Sequence, residues 1–266
     1  MNVATWNVNS VRSRLDRVLG WTARVLPDVL CMQETKTTDD LFPVAAIEEL
    51  GYHVELFGQR TYNGVAILSK KPLQDVVRGL PDAPGTEPDV QSRLIAGTVG
   101  GTGGMRIVNV YVPNGQSPDS DKFIYKLNWL VRLRSFLEAT ASPKDPLLLL
   151  GDFNIAPDDR DVHDPARWRG KIHFHPREHE ALAYVMEWGF SDLLRKHHEE
   201  GGLFTWWDYR MLAFPRNHGL RIDLILGTKT MHQRCKSVTL YRDERKGEHP
   251  SDHIPVVATF AGVKAR

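Results

Sequence analysis

The stretch LLLLGDFN, Leu147–Asn154, decides the fold class. Four successive leucines without polar alternation predict a strand that is buried on both faces, as in sheets covered by other layers. Gly151 is expected to let the chain leave this strand sharply, so that Asp152 and Asn154 point the same way at a spacing of two. The alternative is a simple turn in which the Asp152 side chain closes the strand end.

Short apolar runs of the same kind recur outward from this stretch and predict further strands. They lie at Val3–Val8, Val29–Gln33, His53–Phe57, Val65–Leu68, Leu94–Val99, Arg106–Val112, Leu147–Leu150, Ile222–Leu226, Val238–Tyr241 and Val256–Phe260. Because several of these runs lack polar alternation and helices fall between only some of them, we predict a mixed α/β sandwich.

Helices are predicted where apolar residues return every three or four positions. The clearest is Lys122–Thr140, behind a Ser120-Asp121 start, and the others are Leu15–Val25, Val44–Leu50 and Glu180–Trp188. GGTGG at Gly100–Gly104 joins two predicted strands and indicates a hairpin, since no helix follows it to bind phosphate. Pro81–Pro88 and Asp158–Pro176 are long irregular loops, a kind that is usually functional or mobile.

The amino-acid composition is compatible with one globular domain but does not indicate what the protein binds. The 266 residues, 41% of them apolar, suffice for one large domain over residues 1–266. Lys plus Arg (34) nearly cancel Asp plus Glu (33), so a polyanion would need a local patch. Cys31 and Cys235 lie far apart, no apolar run reaches the roughly 20 residues of a membrane span, and the chain starts on a strand-like segment. We expect a cytoplasmic protein with reduced cysteines.

Polar motifs at the ends of apolar stretches suggest one site gathered from many strand ends. They are Asn7 in TWNVNS, Glu34 in MQETK, Tyr111–Asn114 in YVPN, Asp152 and Asn154 in GDFN, Asp223 in LRIDLIL, and Asp252-His253 in PSDH. Carboxylates and carboxamides suit a hard divalent cation, and a histidine beside them suits acid/base chemistry. The pattern predicts a metal-dependent phosphoesterase.

Each motif also has a purely structural interpretation. Glu34 is either a cation ligand or an ordinary exposed glutamate, and Asn7 can serve in structural hydrogen bonding. Asp223 interrupts an apolar run and needs a partner: either His253, whose pKa it would raise, or a structural ion pair with Arg221 or Arg93.

The ordered set QETK, YVPNG, GDFNIAP, TWWDYR, GLRIDLIL and PSDH resembles the exonuclease III type of abasic-site endonuclease, within the wider endonuclease/exonuclease/phosphatase superfamily. The resemblance extends from Trp6 to His253. It implies a four-layer α/β sandwich of two packed mixed sheets flanked by helices. It also implies one or two Mg²⁺ ions, with Mn²⁺ as a substitute. The substrate would be double-stranded DNA, cut on the 5′ side of abasic sites and at blocked or recessed 3′ ends.

The resemblance also assigns roles to individual residues. For the metal it implies Glu34 as principal ligand with Asn7 and Asp252 nearby, and Asp152 and Asn154 as further candidates. For catalysis it implies that Asp152 aligns the attacking water, that Asn154, Tyr111 and Asn114 contact the scissile phosphate, and that Asp223 orients His253. The residue that takes the water's proton stays open among Asp152, Tyr111 and His253.

Substrate binding is expected to use other positions. The resemblance implies a small apolar pocket for an extrahelical abasic sugar at Trp206, Leu220 and Ile222, while an aromatic cluster such as Phe204, Trp206 and Trp207 is also typical of core packing. Duplex phosphates would contact Arg93, Lys122, Lys126 and the basic loop Arg167–Arg177. The four histidines within His163–His179 do not have zinc spacing and are taken as part of this loop.

The sequence departs from the family pattern at two points, and two other functions compete with the one that the resemblance implies. Gly115–Ser117 stands where some eukaryotic relatives insert an arginine into the duplex, which predicts a weaker hold on the incised product. We expect no regulatory N-terminal extension of the kind that the animal enzymes have, and hence no role in transcription. The rivals are a phosphoesterase for inositol phosphates, sphingomyelin or RNA tails, and a DNA-damage binding module without catalysis. We expect a monomer.

Overall fold

The computed structural model describes residues 1–81, 88–100 and 104–262, and within them twelve strands form two mixed sheets. The strands are β1 (Asn2–Asn7), β2 (Val29–Gln33), β3 (His53–Phe57), β4 (Val65–Ser69), β5 (Leu73–Arg78), β6 (Leu94–Val99), β7 (Met105–Tyr111), β8 (Leu147–Asp152), β9 (Phe190–Asp192), β10 (Asp223–Thr228), β11 (Cys235–Leu240) and β12 (Val256–Phe260). The first sheet has the order β11-β12-β1-β2-β4-β3, and the second has the order β5-β6-β7-β8-β10-β9.

The described residues include six α-helices. They are α1 (Leu15–Val25), α2 (Val44–Glu48), α3 (Asp121–Thr140), α4 (Pro165–Trp168), α5 (Pro176–Met186) and α6 (Lys229–Arg234). Val18 and Trp21 of α1 pack on the first sheet, and α3 and α5 pack on the second. Between the two sheets, the side chains of their inner faces form a further hydrophobic core, in addition to the clusters under the helices. This four-layer α/β sandwich confirms the predicted fold class.

The four leucines of β8 show why this run had to be apolar throughout. Leu148 and Leu150 pack between the sheets, whereas Leu147 and Leu149 pack under α3 and α5. All four are 0% exposed because successive side chains of a strand point to opposite faces and both faces are covered here. The prediction of a doubly buried strand is confirmed.

Gly151 has a different role from the one predicted. It does not end the strand, since β8 continues to Asp152 and Gly151 pairs with Val110 of β7. A Cβ atom at this position, where φ is +144°, would lie 1.9 Å from the Val110 carbonyl oxygen. Glycine is therefore required for the close approach of two parallel strands beside the site.

Other predicted elements are confirmed within a few residues, but two strands and the two short helices α4 and α6 were not predicted. Ser120 Oγ accepts a hydrogen bond from the Phe123 amide at 3.2 Å and so begins α3 where the Ser/Asp start was expected. Strands β5 and β9 were missed, because β5 is a largely exposed edge strand and β9 has three residues. Helix α4 lies within the predicted Asp158–Pro176 loop, and α5 begins four residues before the predicted Glu180.

Two loop predictions fall partly on undescribed positions. Strands β6 and β7 pair antiparallel on either side of GGTGG, but residues 101–103 lie outside the described residues, as do residues 82–87 of the Pro81–Pro88 loop. Among the helices that the structure describes, none has the length and apolar character needed to cross a membrane.

Candidate active site

One edge of the sandwich collects the ends of strands from both sheets. Strands β1 and β2 run parallel and end side by side at Asn7 and Gln33, so Glu34 follows directly. In the second sheet β7 and β8 run parallel and end at Tyr111 and Asp152. Because parallel strands finish at the same edge, side chains from distant parts of the sequence meet here.

Asn7 joins the acidic side chains of the two sheets. Its Nδ2 donates to Glu34 Oε1 at 2.8 Å and to Asp152 Oδ2 at 2.9 Å, and its Oδ1 accepts from the Asn9 amide at 3.0 Å. Glu34 has a left-handed φ of 52°, uncommon for a residue with a Cβ, and its second oxygen lies 2.8 Å from Lys36 Nζ. The two carboxylates are thus held close together by a shared donor.

Asp223 and His253 form the predicted pair. Asp223 begins β10 directly opposite Asp152, and its Oδ2 lies 2.8 Å from His253 Nδ1. His253 Nε2 lies 3.7 Å from Asp152 Oδ2, so the imidazole stands between two carboxylates. The alternative partners are excluded: Arg221 pairs with Asp161 and Asp192, and Arg93 donates to Gln91 and to the Tyr111 carbonyl.

The charges in this cluster shift its pKa values strongly. Burial lowers the pKa of His253, but the charges of Asp223 and Asp152 outweigh burial and raise it to about 10. Burial raises the pKa of Asp152, and His253 and the Asn7 hydrogen bond only partly oppose this, so the result is about 7. Burial and the charges of Glu34 and Asp152 raise the pKa of Tyr111 well above its usual value. Near neutral pH the imidazole is therefore cationic and the phenol is protonated.

The GDFN turn forms the expected turn contact and also places one Asp152 oxygen among the other polar groups of the site. Asp152 Oδ1 accepts from the Asn154 amide at 2.9 Å, which is the turn-closing contact, while Oδ2 faces Asn7 and His253. Asn154 has a left-handed φ of 52°, and its Nδ2 donates to the Val112 carbonyl at 3.0 Å. Its Oδ1 lies 3.3 Å from Asn114 Nδ2, so the two asparagines form one polar surface beside Asp152.

The donor set fits a divalent cation. One ligand atom each from Glu34, Asp152 and His253 lie within 4.8 Å of one another. Since His253 is protonated, the carboxylate oxygens of Glu34 and Asp152 are the available ligands. Burial raises the pKa of Asp152 because it removes the solvent that would stabilise the carboxylate charge, and a bound cation could stabilise that charge instead. Asp252 lies beside this group, with its oxygens bound by Asn9 Nδ2 at 2.8 Å and Trp206 Nε1 at 3.0 Å.

The predicted substrate-binding positions border this edge. Arg93 lies over the Tyr111 ring at 4.9 Å, and with Asn114 and the exposed Lys122 it lines an open groove next to the carboxylates. On the other side Trp206 is partly exposed above a cluster that contains the fully buried Leu220 and the 2%-exposed Ile222. Phe204 and Trp207 are core residues of a separate cluster, as their packing interpretation proposed.

Lys126 was wrongly predicted to contact DNA. It is fully buried, and its Nζ donates to Glu178 and to the backbone carbonyls of Asn114 and Asn154. Helical periodicity places Lys122 and Lys126 on the same face of α3, so sequence alone could not distinguish the exposed lysine from the buried one.

The histidines of His163–His179 have structural roles. His175 caps α5, His163 and His179 approach the Gly219 and Ala156 carbonyls, and His173 Nδ1 lies 2.7 Å from the Asn154 carbonyl. Among the residues that the structure describes, they form no metal cluster. Burial and nearby Lys126 lower the pKa of His173 to about 3, so this ring is neutral.

Sequence reasoning missed three residues of the site. Asn9 and Lys36 hold Asp252 and Glu34, and both stood inside motifs, WNVNS and QETK, that were recognised without a role for them. His173 lies beside Asn114 and near the Trp206 ring, at 6.3 Å between ring centroids. Nothing in its local sequence distinguished it from the neighbouring histidines.

Comparison with known proteins places the whole arrangement in a family. Residues 4–253 match the model of the Endonuclease/Exonuclease/phosphatase family. Exodeoxyribonuclease III of Haemophilus influenzae is 35% identical, over 98% of this chain and 100% of the relative.

Two solved structures share the fold closely. The 3′ phosphatase NExo from Neisseria, bound to a product DNA hairpin, is 44% identical with a TM-score of 0.92, over 98% of this chain and 100% of that one. An AP endonuclease from Archaeoglobus fulgidus is 40% identical with the same TM-score and the same coverage. On its site geometry, its fold and these relatives, the chain belongs to the endonuclease/exonuclease/phosphatase family.

Proposed function

We propose that this chain is a DNA-repair phosphodiesterase that hydrolyses the bond 5′ to an abasic site and cleans blocked or recessed 3′ ends of double-stranded DNA. The observation that carries the proposal is the meeting of Glu34, Asp152 and the Asp223–His253 pair at one strand edge. Relatives with this fold bear the names exodeoxyribonuclease III, AP endonuclease and 3′ phosphatase, which supports DNA as the substrate.

Glu34 would hold the cation, Mg²⁺ or Mn²⁺, with Asp152 and, after rearrangement of their present hydrogen bonds, Asn7, Asn154 or Asp252 as further ligands. When bound, a divalent cation polarises a phosphoryl oxygen and neutralises developing negative charge. Either one or two ions is compatible with this donor set.

The proton transfers can be assigned to the protein's own groups. The Asp152 carboxylate is buried at the strand edge and held there by Asn7 Nδ2, so it would orient the attacking water and accept its proton. His253 carries a proton on Nε2 that it can donate to a phosphoryl oxygen, and Asp223 keeps the ring oriented. Tyr111 remains protonated and can donate to the same phosphate, which makes it unsuited as the base. Attack is in line, without a covalent enzyme intermediate.

Substrate selection would come from the apolar pocket at Trp206 and from a basic rim, which consists of Arg93, Lys122 and the exposed cations of the Arg167–Arg177 loop. An abasic nucleotide would insert beside Trp206, above Leu220 and Ile222, because extrusion costs only a few kcal/mol and least where no base is present. Arg93, Lys122 and the exposed cations of the Arg167–Arg177 loop would contact phosphates without reading sequence.

The two rivals are not favoured. A binding module without catalysis would not need the Asp223–His253 pair, which is buried at a cost that a function must justify. A phosphoesterase for inositol phosphates, sphingomyelin or RNA tails has no support among these relatives, whose names refer to DNA nucleases, an AP endonuclease and a 3′ phosphatase.

The test is a comparison of cleavage rates at fixed salt on three duplexes: one with an abasic analogue, one with a 3′-phosphate and one with an undamaged recessed end. Salt must be constant because phosphate-driven affinity depends steeply on it. We expect cleavage with Mg²⁺, none with EDTA, and preference for a damaged duplex. Binding without product would support the non-catalytic module, and faster hydrolysis of inositol phosphates or sphingomyelin would support the other rival.

We also propose one monomeric domain over residues 1–266 and a cytoplasmic location. The two sheets share a continuous core, and both cysteines are buried and unpaired, which suits a reducing compartment. Light scattering and cell fractionation test these two points.

A further inference from the structure

Lys126 is a buried cation with three partners and no contact with solvent. Its side chain is 0% exposed, and Nζ lies 2.5 Å from Glu178 Oε1, 2.6 Å from the Asn154 carbonyl and 3.2 Å from the Asn114 carbonyl. An ammonium group has three donors, so all three are used. The cation therefore connects α3, α5 and the two loops that carry Asn114 and Asn154.

The two carbonyls belong to residues whose side chains also meet. Asn154 is in the left-handed region, with its carbonyl turned inward to Lys126 and to His173 Nδ1. Its side-chain Oδ1 faces outward to Asn114 Nδ2 at 3.3 Å. Because Lys126 Nζ holds both backbone carbonyls on the buried side, it determines where the side chains of Asn114 and Asn154 lie on the site side.

Glu178 is itself held in place. Its second oxygen accepts from the His175 amide at 3.1 Å, in the capping box that begins α5, and its side chain is 0% exposed. Gly115 leaves room for the lysine stem, since a Cβ there would lie 3.1 Å from Lys126 Cδ and 2.8 Å from Ile172 Cδ1. Packing thus fixes the ammonium on every side.

Stability alone is a weak reason for such an arrangement. Replacing a buried ion pair with uncharged groups is often neutral or stabilising, because desolvation offsets the attraction between the charges. Burial lowers the pKa of Lys126 while Glu178 opposes this, which shows the same competition. An apolar side chain at position 126 could not donate hydrogen bonds to the backbone carbonyls of Asn114 and Asn154.

We propose that Lys126, anchored by Glu178, is a positioning residue that sets the placement of Asn114 and Asn154 against the scissile phosphate. The inference rests on the proposed function for its kinetic consequence. Its structural part, the placement of the two side chains, does not depend on any substrate.

The test uses four variants of the full chain. Lys126→Met removes the donor but leaves the Glu178 carboxylate buried without its cation. The double variant Lys126→Met/Glu178→Gln removes that charge as well and keeps an acceptor for the α5 cap. Glu178→Gln alone keeps the lysine, and Leu130→Ala removes a fully buried side chain of α3 that belongs to the apolar cluster under the second sheet.

Melting temperature, kcat and KM separate positioning from stability. Lys126→Met should melt on the order of 10 °C lower, and the double variant should recover much of that loss. Both should lose about 10- to 100-fold in kcat, as supporting partners of active-site groups typically do, with KM changed by less than about threefold. Leu130→Ala should lose stability with kcat within about threefold of wild type. Glu178→Gln keeps the lysine but removes its anchoring charge, so it should lower kcat by less than Lys126→Met does.

A second measurement works without substrate. The side-chain amide NMR signals of Asn114 and Asn154, in protein labelled with ¹⁵N-asparagine and free of DNA, should shift in both lysine variants and stay unchanged in Leu130→Ala. A double variant with wild-type kcat, or with unchanged amide signals, would overturn the proposal. If wild type cleaves none of the DNA substrates, the proposed function fails while the amide signals still decide the positioning role.

Discussion

Replacing Asp223 with asparagine is the sharpest probe of the site, because it removes one charge while preserving the size of the side chain. The Asp223 side chain is fully buried, and its Oδ2 lies 2.8 Å from His253 Nδ1. Breaking such a pair by removing one partner costs about 3–5 kcal/mol. If that loss falls on the transition state, at about 1.36 kcal/mol per factor of ten, kcat/KM falls roughly 10²- to 10⁴-fold.

The pH dependence supplies an independent check with a definite sign. His253 has its pKa raised to about 10 despite burial, chiefly by Asp223, so in wild type the protonated ring persists as pH rises through neutrality. Without Asp223, burial again lowers this pKa, and only the charges of Asp152, at 3.7 Å, and Asp252 still oppose burial. Activity that needs the imidazolium should therefore decline at a lower pH in the variant than in wild type.

Single-turnover cleavage of the preferred duplex, measured from about pH 6 to about pH 9 in saturating Mg²⁺, follows both effects over the range where histidine normally titrates. Asp243→Asn is the matched control, since it removes the same charge from a side chain that is 84% exposed and forms a surface ion pair with Lys246. A variant within about threefold of wild type, with the same pH profile, would refute the assigned role of the pair.

Three further predictions address the metal, the strand packing and the rim. Glu34→Gln should weaken Mn²⁺ binding without DNA at least about 100-fold by titration calorimetry, since it removes a charged ligand candidate; an unchanged Kd would exclude Glu34 as ligand. Gly151→Ala should lower the free energy of unfolding by roughly 2–6 kcal/mol in urea, because its Cβ meets the Val110 carbonyl oxygen at 1.9 Å; wild-type stability would contradict this close approach. Lys122→Ala should reduce the slope of log affinity against log salt by about 1 with kcat unchanged, whereas Lys144→Ala, at the opposite end of β8, should leave the slope as it is.

Several features of the site were predictable because their local sequence is unusual. An aspartate inside LRIDLIL must have a buried partner, and His253 proved to be that partner. GDFN at the end of four leucines had to place polar atoms at a buried strand end, and Asp152 lies there. In each case the cost of burying a polar group restricts the structures that the segment can adopt.

Other features had no local signature. Lys126 and Lys122 differ by one helical turn, yet one is fully buried and the other exposed, because only the position of α5 decides which lysine meets Glu178. His173 lies in a run of similar histidines, and its contact with Asn154 depends on where the loop before α5 folds back.

By itself, the amino-acid sequence determined the class of fold and the identity of most polar groups at the site, since apolar periodicity and the cost of buried charge act within a few residues. Tertiary structure alone decided which groups meet, how Asn7 joins Glu34 to Asp152 across the two sheets, and which cations are exposed. The physical reason is that hydrogen bonds and charge interactions depend on distances of a few ångströms between residues far apart in the chain, and only strand pairing and sheet packing set those distances.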